Sequence, residues 1–186
     1  MHLRGIAGRL LPWIAGGVLA LAGCTSSPSI ADVPGYRLSY GQIQEEQQAK
    51  TAAIDFAKCD QAAVTFTDSQ TATDDTGATL YQLKFSDADG SYQFHIRATD
   101  GAVVEYRYTG QLSTTGQDVG QPYAVHLLAG MIPGVNQDGV GAAMKLDQQN
   151  RDGLPVYKGK VLVRSRQYKY EIHTLTGKLV QWSRKK

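Results

Sequence analysis

Cysteine is nearly missing from this chain of 186 residues, with Cys24 and Cys59 as its only two. Two thiols cannot build the disulfide framework of a small stapled domain. A nucleophilic thiol needs a histidine and an orienting group, and nothing in the sequence sets such a pair beside Cys59. Histidine is scarce too, with His2, His95, His126 and His173 making up the total. Their spacing matches no zinc set, and HExxH, GxSxG, the phosphate-binding P-loop and the Rossmann fingerprint are all missing. Acidic clusters fare no better. Asp74-Asp75 and the Asp87, Asp89 run fall in turn sequences, and "DADGS" lacks the remaining ligands and the distal glutamate of a calcium loop. The expectation is a protein with no catalytic residues, no metal and no cofactor. Long apolar runs are also lacking: "LLPWIAGGVLALAG" is too short for an ordinary spanning helix.

That short run has another use. It follows "MHLRGIAGR", with two arginines, and ends in Leu21-Ala22-Gly23-Cys24. The arrangement resembles the lipobox of bacterial lipoproteins. The resemblance implies a signal peptide over residues 1–23 and a diacylglycerol on the Cys24 sulfur, with acyl chains of the palmitate kind. The mature protein would then sit on the extracytoplasmic face of the cell membrane, held by about 0.8 kcal/mol per buried methylene. Residues 24–36, polar and punctuated by proline, read as the lipidated tether. Cys59 would be the one thiol of the mature chain, placed by its helical pattern as a small buried residue.

Beyond the tether, one order of elements occurs twice. Ala49, Ala52, Ala53 and Phe56 share a helix face at i, i+3, i+4 and i+7. The period then changes to two, through Tyr81, Leu83 and Phe85, then Tyr92, Phe94 and Ile96, then Val104, Tyr106 and Tyr108, with Asp- and Gly-rich turns between. Ala124, Leu127, Leu128 and Met131 restart the helical spacing, with Pro133-Gly134 as its stop. Alternation returns at Ala142, Met144 and Leu146, at Val161 and Val163, at Tyr168, Tyr170 and Ile172, and at Val180 and Trp182. "HIRATDGAVVEY" and "EIHTLTGKLVQW" are nearly one phrase. The helices align at an offset of 75 and the late strands at 76. The middle strand aligns best at 78, Phe85 on Val163, with a hairpin loop two residues shorter. The fold class read from this is α+β: two tandem modules, each an N-terminal helix packed on a 3–4-stranded antiparallel sheet, over residues 37–110 and 122–186, joined by a linker at 111–121. By parity His95 and His173 face the wetter side of their sheets. The tyrosines read as cross-strand packing, or alternatively as an aromatic binding face.

Each copy resembles a PepSY domain, the small module of peptidase propeptides and of many envelope lipoproteins, including the YpeB-like kind. "YQLKF", "YQFHI" and "TDGAVV" carry the likeness in the first copy, and "VYKGKVLV", "YKYEI" and "LTGKLV" in the second. Where the family often has aspartate after the "Y-x-[FY]-x-[IV]" strand, this chain has Arg97 and His173. The resemblance implies a non-catalytic envelope protein that binds or regulates a partner, such as a peptidase it restrains.

Charge is unevenly distributed. Residues 151–186 hold ten basic residues against Asp152 and Glu171, while residues 25–150 hold seven basic and fifteen acidic. Lys158, Lys160, Arg164, Arg166, Lys169, Lys178, Arg184, Lys185 and Lys186 are expected to crowd onto the face away from the helix. That face would suit anionic wall polymer, anionic headgroups or an acidic protein. An alternative function is therefore a structural lipoprotein bridging membrane and wall. Nucleic acid is a poor partner for a protein anchored outside the cell.

Overall fold

The computed structural model describes residues 28–132, 147–151, 153–163 and 166–185. Cys24, Pro133-Gly134, Ala142, Met144, Leu146, Arg164 and Lys186 lie outside the described residues, as do the side chains of Val163 and Arg166. Among the described residues no helix is long and apolar enough to cross a membrane.

Among the described residues two α-helices of equal length form, α1 (Glu46–Ala57) and α2 (Gly120–Met131). Helix α1 opens on a capping box between Glu45 and Gln48 and ends where Lys58 turns left-handed. Eight strands follow the turn signals: β1 (Thr65–Thr73), β2 (Thr79–Ser86), β3 (Gly90–Arg97), β4 (Val103–Gly110), β5 (Asp147–Arg151), β6 (Leu154–Val163), β7 (Arg166–His173) and β8 (Leu179–Arg184).

The strands do not form two sheets. They make one antiparallel sheet in the order β1-β2-β3-β4-β8-β7-β6-β5. Each group of four is an antiparallel meander, and the two groups meet edge to edge through β4 and β8. Strand pairing leaves the last strand of each meander with unsatisfied backbone groups, and here each covers the other.

The junction is symmetric. Tyr106 lies directly opposite Trp182, with Glu105 against Ser183 and Arg107 against Gln181. Shifting any of these by 76 positions returns the same set. Trp182 Nε1 donates to the Val103 carbonyl at 3.3 Å, and the Tyr106 hydroxyl donates to the Leu179 carbonyl at 3.3 Å. Those two bonds are also one bond written twice.

The middle strands correct an expectation. Phe85 pairs with Tyr92, and Val161 pairs with Tyr168, so Phe85 corresponds to Val161 at an offset of 76 rather than to Val163 at 78. The β2–β3 and β6–β7 hairpins have the same length. The shorter connection is the preceding one: residues 74–78 join β1 to β2, whereas 152–153 join β5 to β6. An error of two preserves side-chain parity, so the apolar pattern alone accepted both offsets. Gly159, standing where the first half has Leu83, hid the true alignment.

One core underlies the sheet. Phe56 of α1 packs on Tyr36, Phe94 and Tyr106, with ring centroids 5.1–5.6 Å apart. Ala124, Leu127, Leu128, Ala129 and Met131, buried in α2 together with Tyr123, match the buried Ala49, Ala52, Ala53, Ile54 and Phe56 of α1 at an offset of 75. Tyr36, read as tether, is buried in this core, so the ordered part begins before residue 37. Helix α2 likewise begins at Gly120, inside the expected linker.

Candidate functional site

Tyr81, Tyr92, Tyr157, Tyr168 and Tyr170 all lie on the helix-covered side and are buried, so they supply core and no aromatic binding face. The opposite side of the sheet is polar. Lys84, Gln93, Arg107, Gln181, Glu171 and Lys158 form one row across neighbouring strands. Gln82, His95, Glu105, Ser183, Lys169 and Lys160 form the next. In the first half two of the charged groups on this face have partners, Lys84 Nζ 3.2 Å from Asp68 Oδ2 and Glu105 Oε2 3.2 Å from His95 Nδ1, while Arg107 lies between Gln93 and Gln181.

The second half is not matched in the same way. Lys158 Nζ meets Glu171 Oε1 at 3.2 Å. Lys160 lies directly across from Lys169, and Lys185 lies beside Lys169. Among the described residues no carboxylate lies within ion-pair distance of Lys160, Lys169 or Lys185. The repulsion registers on Lys169, whose pKa is pushed down chiefly by Lys185, with Lys160 and Lys158 adding to it.

Two expected members of the basic face go elsewhere. Arg184 lies across from Tyr168 and shares the parity of Trp182; its Nη2 stands 4.0 Å from Asp100 Oδ2. Lys178 sits on the core side, its Nζ 3.7 Å from the Tyr108 ring centroid and 3.4 Å from the Tyr92 hydroxyl. Arg166 ends a strand, and its side chain lies outside the described residues.

His173 also departs from expectation, being fully buried. Its Nδ1 is 2.8 Å from Thr176 Oγ1, while Nε2 has no partner. The chain leading into α2 runs over this turn: Val119 N–H donates to the Thr174 carbonyl, and the Tyr123 ring lies against Gly177. Burial pushes the His173 pKa down. The first half has the same bond 76 residues earlier, from Ile43 N–H to the Ala98 carbonyl. Parity alone could not reveal a covering segment that arrives from outside the strand. Cys59, at the rim of the core beside Tyr92 and Asp87, has its thiol pushed up by burial to about 11. That is the reverse of what a nucleophile requires.

A cavity of about 520 Å³ opens where the 74–78 turn, the β3–β4 turn and the end of β8 converge. Its lining among the described residues is Thr76, Gly77, Ala78, Arg97, Thr99, Arg184 and Lys185, with three cations and no carboxylate. Asp74 stands behind it. Its Oδ1 accepts from the Thr76 amide, the Thr76 hydroxyl and the Ala78 amide at 2.5–2.9 Å, and its Oδ2 accepts from Arg97 Nε at 3.2 Å. These donors, the Thr76 hydroxyl foremost, hold the Asp74 carboxyl far below the usual carboxylate range. Sequence reading missed this site. Its residues come from three turns distant in sequence, and Arg97 stood out only as a departure from a family pattern.

With this geometry in hand, the chain can be set beside known proteins. No family model matches it, and no curated protein does. Among solved structures the Bacillus megaterium YpeB C-terminal domain superposes with a TM-score of 0.55 at 12% sequence identity. The fold is similar to that of the YpeB C-terminal domain. The match covers 77% of this chain, which spans 64% of the YpeB domain's length. CD1622 of Clostridium difficile 630, a candidate lipoprotein, matches over 73% of this chain and 92% of its own at 17% identity, with a TM-score of 0.26. That overlap is too low to carry weight. The YpeB-like fold is what the likeness contributes. It says nothing of the cavity or the lysines, which rest on this chain's own residues.

Proposed function

We propose that this chain is a non-catalytic lipoprotein of the cell envelope, built from two PepSY-like modules fused edge to edge, that binds and regulates a partner protein. One observation supports this most: a YpeB-like sheet spends its aromatic residues on a helix-covered core and turns a broad polar face, patterned in charge, away from it. Such a surface recognises by charge and hydrogen bonding. Lipidated Cys24 would hold it at the extracytoplasmic face of the membrane, and an envelope peptidase is the partner the PepSY likeness suggests. Strand addition along the outer edge of β1 would offer a further contact. Capture of envelope proteins by the tethered chain, followed by assay of any captured peptidase with and without it, tests the reading. No captured protein, or no effect on the peptidase, counts against it. Cys24→Ser should abolish a lipid-dependent mass shift and membrane retention. Absence of that shift in the wild-type protein would remove the anchor.

A second reading is favoured by the clustering of Lys160, Lys169 and Lys185, which have no carboxylate partner among the described residues. This face would dock on an anionic surface and bridge membrane to wall. Binding should then fall steeply between low and physiological salt.

A further inference from the structure

The cavity lined by Arg97, Arg184 and Lys185 supplies something a charged face alone does not: a concave place for one anionic group. Arg97 is held rigidly at its rear. Its Nε reaches Asp74 Oδ2 at 3.2 Å and its Nη1 reaches Asp100 Oδ2 at 3.5 Å, leaving Nη2 for a ligand. Asp100 Oδ2 also stands 4.0 Å from Arg184 Nη2, so one carboxylate anchors both guanidinium groups from behind. Asp74 is occupied by turn donors and by Arg97, and neither acid lines the cavity. Thr99 also lines the cavity, while the Thr76 hydroxyl is taken up by Asp74.

We propose that this cavity binds a phosphoryl group, and that the lysines leading out of it carry the following phosphates of a polymer chain. A carboxylate offers two oxygens to a lining with more donors than that, whereas a phosphoryl group offers three or four to Arg97 Nη2, the Arg184 guanidinium, the Lys185 ammonium and Thr99. Lys185 makes the connection, since it both lines the cavity and abuts Lys169. Lys160 continues the track on the next strand. Cross-strand neighbours stand about 5 Å apart, a spacing a flexible polyanion can follow. The inference rests on the reading of the lysine row as an anion-docking face, and adds to it the ligand's chemistry and the point where the chain is held.

The test is titration of the full chain with inorganic polyphosphate, with orthophosphate, and with phosphatidylglycerol vesicles, over a salt series. Polyphosphate should bind at least tenfold more tightly than orthophosphate. Arg184→Gln and Lys185→Gln should each weaken it by about threefold or more and lower the salt dependence by roughly one counterion per charge removed. Lys84→Gln, on the same face of the first half, should change nothing. Lys185 is exposed, so its variant keeps the test valid if the Arg184 variant fails to fold. No polyphosphate binding at low salt overturns the proposal, as does an equal loss from Lys84→Gln. Loss of binding in Lys160→Gln and Lys169→Gln with none in the cavity variants overturns the cavity alone and leaves the lysine row standing. Vesicle binding that exceeds polyphosphate binding and ignores the cavity variants overturns it in favour of headgroups.

Discussion

The two halves of the sheet, β1–β4 under α1 and β5–β8 under α2, share a skeleton and differ in what they present. Their hydrogen bonds repeat at an offset of 76: Ala98 N–H to the Thr79 carbonyl and Thr174 N–H to the Pro155 carbonyl, Arg97 N–H to Ala102 and His173 N–H to Lys178. Five buried residues of each helix repeat at 75, and the buried Tyr123 of α2 has no buried counterpart in α1. Their polar faces do not repeat. The first half pairs Lys84 with Asp68 and sets Arg107 between two glutamines, while the second sets Lys160 directly against Lys169. Position 97 carries a guanidinium fixed in a cavity wall, and its counterpart at 173 carries a buried imidazole. Packing constrains the first kind of position and leaves the second free to serve other ends.

Breaking the symmetric junction should give the largest effect. Trp182→Ala empties a fully buried site at the β4–β8 seam and removes the bond to Val103. It should cost about 3–5 kcal/mol, read as a drop in denaturation midpoint. A loss below about 1 kcal/mol would mean that the halves do not depend on this seam.

The paired turns sharpen the comparison. Gly101 and Gly177 both have positive φ, of 61° and 67°. A side chain at Gly101 meets the Gly41 backbone, and one at Gly177 meets the Tyr123 ring. Valine at either should cost about 2 kcal/mol or more in strain and overlap. Backbone yields less readily than a ring, so Gly101→Val should melt lower than Gly177→Val. The reverse order would show that the second turn is the more tightly held.

Lys178 has Ala102 as its counterpart and so belongs to one half only. Its ammonium lies over Tyr108 of the other half. Lys178→Gln should cost about 1 kcal/mol, and an unchanged midpoint would reduce the contact to coincidence.

The smallest effect is a pH dependence. Burial lowers the His173 pKa below 6.5, so the unfolded chain takes up a proton more readily than the folded one. Its contribution to stability is complete above that value and is lost as pH falls through it. Thermal melts between pH 7 and 5 should slope less in His173→Leu than in the wild type. Parallel curves would remove His173 as the source of the slope.

The order of elements, the period of each and the sidedness of the strands were legible because they are local. A helix must set Ala49, Ala52, Ala53 and Phe56 on one face, and alternation must set Tyr92, Phe94 and Ile96 on one side, whatever the remainder of the chain does. The lysines of β6 and β7 were found by the same logic. Long-range pairing decided the rest. No local signal distinguishes two sheets from one, because the outer edge of β4 satisfies its backbone equally well against β8 or against solvent. The two-residue slip in the middle strand escaped detection because side-chain parity is blind to even shifts. The burial of His173 and the cavity behind Arg97 follow from segments crossing over turns, which only three-dimensional packing fixes. Sequence by itself therefore determined which residues of one strand or helix share a side, and the tertiary structure decided which of those sides are covered and which residues meet.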